Sequence, residues 1–167
     1  MKQTLTEIFN EIGNHSSKDI GCNDKGGLHT YLETYDRLFA PFQIGGSILE
    51  IGLALGDSIK LWDRYFDGGR IVGVDISVVF TPPVSSNNVI EIIQADATSV
   101  EILEKFEDGE FDIIIDDASH MESDQIATFD LLKSKVKKGQ KKGGFKSSGG
   151  VYIIEDILAI DQNIHKF

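Results

Sequence analysis

Two short acidic runs carry the sharpest chemistry in this chain. Asp116-Asp117-Ala118-Ser119-His120 places two carboxylates and an imidazole within five residues, directly after the apolar run Ile113-Ile114-Ile115. Glu155-Asp156 closes a second apolar run, Val151-Tyr152-Ile153-Ile154. Adjacent carboxylates repel one another, so such a pair calls for a cation. Carboxylate oxygens converging from two strand ends suit a hard divalent ion such as Mg2+, which prefers oxygen ligands and retained waters. His120 beside that ion is a candidate general base, because an imidazole titrates near pH ~6.5. The plainer alternative is that Asp117 or Ser119 caps the following helix and His120 is a surface residue.

A second set of residues reads as a binding loop. Glu50-Ile51-Gly52-Leu53-Ala54-Leu55-Gly56 follows an apolar run and precedes a helical pattern. Glycine permits a sharp turn and close backbone approach to a ligand, and the amides opening the next helix then face that ligand. The spacing is glycine-x-x-x-glycine, which differs from the G-x-G-x-x-G of nicotinamide-dependent oxidoreductases. Asp75 ends a run 23 residues beyond Gly52, where an acid can accept both ribose hydroxyls of an adenosine. Asp96 ends a third run, where an acid can take a hydrogen bond from an exocyclic adenine amine. Each of these acids has a competing role as a helix cap, and the glycines as a turn that only packs helix on strand.

These residues need a frame that brings them to one edge. Ile48-Ile51, Ile71-Asp75, Val89-Ile93, Phe111-Asp116 and Val151-Glu155 are short, β-branched and nearly continuous runs. Such runs predict strands covered on both faces. Helical spacing lies between them at 58–66, 100–106 and 121–132, and before them at 5–12 and 28–39. Strands alternating with helices predict βαβ units, hence a Rossmann-like α/β open parallel sheet with flanking helices. In such sheets ligands bind beyond the carboxyl ends of the strands, where each run here ends in glycine or an acid. The chain divides into an N-terminal helical cap or lid over 1–45 and a core over 46–167. Polar, glycine-bearing Asn23-Asp24-Lys25-Gly26-Gly27 caps the helix that follows or folds over a ligand. The segment 137–150 reads as a flexible basic insertion, or as a flap over an anionic substrate.

Composition narrows the partners. The net charge is −11, and seven of the 16 basic residues lie between Lys133 and Lys146, so the remaining surface is strongly acidic. Such a surface repels nucleic acid phosphates. No apolar run reaches the ~18 residues that span a bilayer. Cys22 is alone, which excludes an intramolecular disulfide and agrees with a reducing cytoplasm. The N-terminus lacks the apolar segment of a secretion signal.

Taken together, these residues resemble the class I S-adenosylmethionine-dependent methyltransferases. Glu50 to Gly56 looks like their first motif, Asp75 like the ribose acid and Asp96 like the adenine-side acid. More narrowly, the chain resembles the metal-dependent sugar O-methyltransferases of macrolide antibiotic biosynthesis, the mycinamicin and macrocin type. That match rests on Asn23-Asp24-Lys25-Gly26 with His29 and Tyr31, on Leu49-Glu50-Ile51-Gly52 with Gly56, Ser58 and Trp62, and on Ile115 to His120 paired with Tyr152 to Asp156. It spans roughly 23–157, most of the chain.

The resemblance implies S-adenosylmethionine and Mg2+ as cofactors and the hydroxyl of a small molecule, a sugar or polyol, as acceptor. It assigns the cofactor to Lys25, Glu50, Gly52, Gly56, Ser58, Asp75, Asp96 and Asp116, and the metal to Asp117, Glu155 and Asp156. His120 becomes the base, with Asp117 beside it in catalysis. Two departures stand out. Ala118 replaces a usual glycine, and the C-terminal strand pair that normally follows the fifth strand is missing. An open sheet edge there favours association into a homo-oligomer. It also keeps a second reading open, a non-catalytic cofactor-binding or assembly module.

Overall fold

The computed structural model describes residues 2–13, 25, 31–85, 87–139, 141–142, 145–146 and 149–157. Helices α1 (Leu5–Gly13) and α2 (Tyr31–Phe39) precede strand β1 (Ser47–Ile51). Helix α3 (Asp57–Tyr65) leads to β2 (Arg70–Asp75), and β3 (Val89–Gln94) follows. A 3-10 helix at Val100–Lys105 precedes β4 (Ile113–Asp116), and α4 (Glu122–Leu132) comes next. A two-residue antiparallel pair, β5 (Lys141–Lys142) with β6 (Phe145–Lys146), precedes β7 (Val151–Ile154).

Five strands form one parallel sheet in the order β3-β2-β1-β4-β7. The chain runs outward from β1 to β3, returns to β4 and continues to β7. The order therefore reverses between β1 and β4, where open α/β sheets bind ligands. Alternation along the strands divides the core in two. Ile48, Ile71, Ile113 and Ile115 face a cluster built with Leu5, Ile8, Phe39 and Trp62 from α1, α2 and α3. Leu49, Ile51, Val72, Val74 and Ile114 face the opposite cluster, with Ile102, Phe106, Phe111 and Leu132. Burial of each such side chain contributes about 1.5–3 kcal/mol, so both faces stabilise the sheet.

Three expectations change in detail. The helical pattern at 100–106 forms a 3-10 helix, entered by a turn in which Ile102 N donates to Ser99 O at 3.2 Å; six residues are too few for a stable α-helix. The fourth strand starts at Ile113, because Phe111 makes only an isolated bridge to Val136. β3 is not covered on both faces. It is a sheet edge, with Val89 64% exposed, Glu91 and Gln94 also exposed, and Ile90, Ile92 and Ile93 only partly buried. No described helix is long and apolar enough to cross a membrane. The segment 23–27, expected to cap a helix or fold over a ligand, lies outside the described residues except for Lys25, and so do the start of the 28–39 helix and the tail after Ile157.

The basic segment is rooted away from the ligand edge. Lys137 Nζ donates to Asp112 Oδ2 at 2.8 Å and Ser47 Oγ at 3.2 Å, and Gly150 N donates to Lys137 O at 2.8 Å. Ser47 opens β1 and Asp112 immediately precedes β4. Both described ends of the segment thus meet at the amino ends of the strands, opposite the acids that close them.

Candidate active site

A cleft of about 670 Å3 opens beyond the carboxyl ends of β1, β2 and β4. Its floor is the turn after β1. Gly52 has φ +85°, and a Cβ there would lie 2.2 Å from the carbonyl oxygen of Asp117. Only glycine lets this turn pass against the loop that leaves β4. Gly56 caps α3 with φ +76°, and a Cβ there would strike the Phe80 ring at 2.4 Å. Asp75 braces the same turn. Its Oδ2 accepts from Leu53 N at 2.7 Å and Ala54 N at 3.3 Å, and its Oδ1 accepts from Ser77 N at 2.8 Å. Asp96 faces the cleft from an exposed turn, where Thr98 N and Oγ1 donate to its Oδ1. Those bonds hold its carboxyl below the usual range. Both acids therefore act as local caps as well as lining the cleft.

Glu50 stands behind the wall, not on it. It shares the face of β1 that points to α3, where Trp62 Nε1 donates to its Oε2 at 2.8 Å and Ser58 adds a hydrogen bond. Burial pushes its carboxyl upward, against the pull of Lys25. Ser58 itself lines the cleft.

The second acidic group lies where β4 and β7 end. Lys25 is only 1% exposed. Its Nζ lies 2.6 Å from Asp117 Oδ2, 2.7 Å from Glu155 Oε1 and 3.3 Å from Glu50 Oε1. Burial disfavours the ammonium, but these three carboxylates outweigh it and hold Lys25 protonated above its usual range. Helix α2 adds two phenols one turn apart. Tyr35 Oη donates to Glu155 Oε1 at 2.6 Å, and Tyr31 Oη donates to Asp156 Oδ1 at 2.8 Å. Burial and the neighbouring acids push the Tyr31 phenol up to about 12. Burial also lifts Glu155 to about 7, with Asp117 adding to the rise and Lys25 opposing it. Asp116 is 1% exposed and is pushed up to about 6, chiefly by burial.

Asp117, His120 and Asp156 form a tighter trio, with one ligand-type atom of each within 4.8 Å of the others. His120 Nε2 lies 3.9 Å from Asp156 Oδ2. His120 and Asp156 both adopt positive φ, +57° and +49°, conformations that cost of order 1 kcal/mol each and concentrate at functional sites. Ser119 pins the approach to α4, accepting from Met121 N and donating to Asp124 Oδ2 at 2.7 Å. Among the described residues, Asp116 Oδ2 and His120 Nδ1 are buried without a hydrogen-bond partner. Both residues line the cleft, so each can meet a bound polar group.

Of the sequence-assigned residues, Lys25, Gly52, Ser58, Asp75, Asp96, Asp116, Asp117 and His120 line the cleft. Glu50, Gly56, Glu155 and Asp156 support it from outside that lining. Tyr31 is among the residues that carry the family resemblance, though without a role, and the anchoring hydroxyl of Tyr35 carries no sequence signal beyond its helical spacing, which equally marks an apolar face. Asn23, Asp24, Gly26 and His29, part of the expected lid, lie outside the described residues.

A parallel sheet of this order, with its glycine turn and strand-end acids around one cleft, is the class I methyltransferase fold. Within that fold the sequence relatives are macrolide-sugar-type O-methyltransferases. The chain is 32% identical over 143 residues to the 8-demethyl-8-alpha-L-rhamnosyl tetracenomycin-C 2'-O-methyltransferase of Streptomyces olivaceus, over 81% of this chain and 35% of that enzyme. It is 31% identical to the mycinamicin VI 2''-O-methyltransferase of Micromonospora griseorubida, over 79% of this chain and 32% of that enzyme. The solved structure of the MycE methyltransferase with Mg, SAH and mycinamycin VI superposes with a TM-score of 0.67 at 28% identity, over 93% of this chain and 39% of that one. The chain thus spans about a third of the length of the curated relatives it matches. No protein-family profile matches it.

Proposed function

We propose that this chain binds S-adenosylmethionine in the strand-end cleft and directs its methyl group to a hydroxyl of a sugar or polyol. In this reading Asp117, Glu155 and Asp156 would hold Mg2+, and His120 is the base. The observation that carries it is the meeting of Asp117, His120 and Asp156 within 4.8 Å beside a cleft of about 670 Å3. The sugar O-methyltransferases among its relatives, and the MycE complex with Mg and SAH, support the same chemistry.

The charge of the wall fits a divalent ion. Lys25 sets one positive charge against Glu50, Asp117 and Glu155, while Asp116 and Asp156 stand beside them. The balance stays negative, and carboxylate oxygens are the donors Mg2+ prefers. When bound, Mg2+ supplies the positive charge that favours loss of a proton from a hydroxyl held against it.

The chain's own residues perform the rest. The Gly52–Gly56 turn and the opening of α3 admit the methionyl end of the cofactor, and Asp75 and Asp96 stand where ribose and adenine are read. His120 takes the hydroxyl proton as the new C–O bond forms and the sulfonium C–S bond breaks. Its positive-φ backbone and the Asp156 contact fix the ring toward the reacting oxygen, so that alignment is set before reaction.

Calorimetric titration of the full chain with S-adenosylmethionine, with and without Mg2+, tests the cofactor. A panel of sugar acceptors with EDTA challenge then tests the transfer. Binding followed by Mg2+-dependent methylation is expected. No binding by the folded chain rejects the reading. Binding without turnover on any acceptor favours the assembly-module alternative.

A further inference from the structure

Asp117, Glu155 and Asp156 share one feature: each has an oxygen bound by a donor from the N-terminal part of the chain. Lys25 Nζ donates to Asp117 Oδ2 at 2.6 Å. Glu155 Oε1 accepts from Lys25 Nζ at 2.7 Å and from Tyr35 Oη at 2.6 Å. Asp156 Oδ1 accepts from Tyr31 Oη at 2.8 Å. The donors are themselves fixed. Lys25 is 1% exposed and is held from behind by Glu50 Oε1 at 3.3 Å, and the Tyr31 and Tyr35 rings lie 5.9 Å apart on α2. An oxygen that faces an ammonium repels a second cation, and an oxygen that accepts two donors has both lone pairs in use. A phenol likewise competes for the oxygen it binds. Each acid can therefore offer a metal one oxygen, not two. On Asp156 that oxygen is Oδ2, on the side of His120 Nε2 at 3.9 Å.

We propose that Lys25 and Tyr31 set the metal selectivity of this site, by denying Asp117, Glu155 and Asp156 two-oxygen contact with the ion. Mg2+ and Mn2+ suit six-coordinate sites built from single oxygens and retained waters, whereas Ca2+ takes more oxygens and gains from carboxylates that give it both. One oxygen per acid thus favours the smaller ions. Lys25 and Tyr31 are positioning residues in this scheme. Tyr35 seconds Lys25 on an oxygen that the ammonium already guards. The inference rests on the metal reading above and adds to it the residues that choose the ion.

The test is calorimetric titration of the full chain and its variants with Mn2+ and, separately, with Ca2+, read as the ratio of the two affinities. Thermal unfolding in EDTA checks that each variant is folded. Tyr31→Phe returns the second Asp156 oxygen to the ion, so the Mn2+-to-Ca2+ ratio should fall by about tenfold, the scale for altering a group that orients a ligand. Tyr35→Phe leaves Lys25 on Glu155, so its ratio should stay within about twofold of the parent. Lys25→Met takes the ammonium from Asp117 and Glu155 and should move the ratio the same way as Tyr31→Phe; it decides the matter if Tyr31→Phe does not fold. A merely structural role weakens both ions alike, so an unchanged ratio in folded Tyr31→Phe overturns the proposal. Equal falls in Tyr31→Phe and Tyr35→Phe overturn it too, because they mean general loosening of α2. If the unaltered chain binds neither ion, the metal reading itself fails and takes this inference with it. If it binds Mn2+ and no variant moves the ratio, the metal reading stands and the selectivity role is rejected.

Discussion

The two halves of the cleft treat their acids in opposite ways. On the β2–β3 side, Asp75 and Asp96 are held by hydrogen bonds from nearby main chain. Asp96 is paired two residues away, and Asp75 reaches back 22 residues across one βαβ unit. On the β4–β7 side Asp116 and Glu155 are buried and Asp117 and Asp156 half-buried, and the last three acids are held by side chains far along the chain. Lys25 reaches Asp117 across 92 residues and Glu155 across 130, and Tyr31 reaches Asp156 across 125. Local amides hold the first group in nearly any fold with this strand–turn–helix unit. The second group depends on the N-terminal segment docking onto the far side of the sheet. The β2–β3 half is therefore robust and generic, and the β4–β7 half is assembled by tertiary contact.

This contrast predicts where substitutions act. The largest effect falls on His120→Ala, which should lower turnover by about 10²–10⁴-fold, the contribution of a positioned base, while S-adenosylmethionine affinity stays within a few fold. Steady-state kinetics with parallel calorimetry measures both, and retained turnover removes His120 from the mechanism. A pH effect comes next. Asp116 is raised from 3.8 to about 6 by burial, so the folded state binds its proton more tightly than the unfolded chain does. Its contribution to stability is therefore present at low pH and is lost as pH rises from about 4 to about 6. The slope is up to about 1.4 kcal/mol per pH unit for the one proton. Denaturant melts across that window should show a flatter profile for Asp116→Asn than for the parent.

Asp75→Ala should weaken S-adenosylmethionine by about 1–3 kcal/mol, through lost hydrogen bonds to a charged group and a loosened Gly52 turn. An unchanged calorimetric affinity removes Asp75 from the ribose site. Tyr35→Phe takes one donor from buried Glu155 and leaves Lys25 in place, so a stability loss of about 1.5 kcal/mol is expected by urea unfolding. If the two halves were alike, Tyr35→Phe would be silent. The smallest change is Ala54→Gly. Ala54 has φ +45°, and relieving it should stabilise the chain by about 0.5–1 kcal/mol, seen as a small rise in the unfolding midpoint.

Much of the frame was legible because strands and turns are local signals. The five apolar runs appear as the five strands of the sheet, and Gly52, Asp75, Asp96 and Asp116 fall at or just beyond the ends of β1 to β4. Detail failed where neighbours outside the run decide. Whether β3 is central or an edge depends on strand order, and the pattern of Val89–Gln94 does not encode it. The 3-10 helix at Val100–Lys105 is a choice between two hydrogen-bond registers over a short stretch, which apolar spacing does not resolve.

Gly52 shows the boundary most clearly. Its type and place mark a tight turn, which follows from the residue alone. The reason that only glycine fits is the Asp117 carbonyl, 65 positions further along, which crosses within 2.2 Å of where a Cβ would stand. The acids divide in the same way. That Asp116, Asp117, Glu155 and Asp156 gather at one sheet edge follows from their placing at the ends of parallel strands. Which of them face Lys25, which face His120, and which burial pushes toward the protonated form is set by how helix α2 and the β4 and β7 loops pack. Hydrophobic periodicity is a property of neighbours in the chain, whereas pairing and desolvation are properties of neighbours in space.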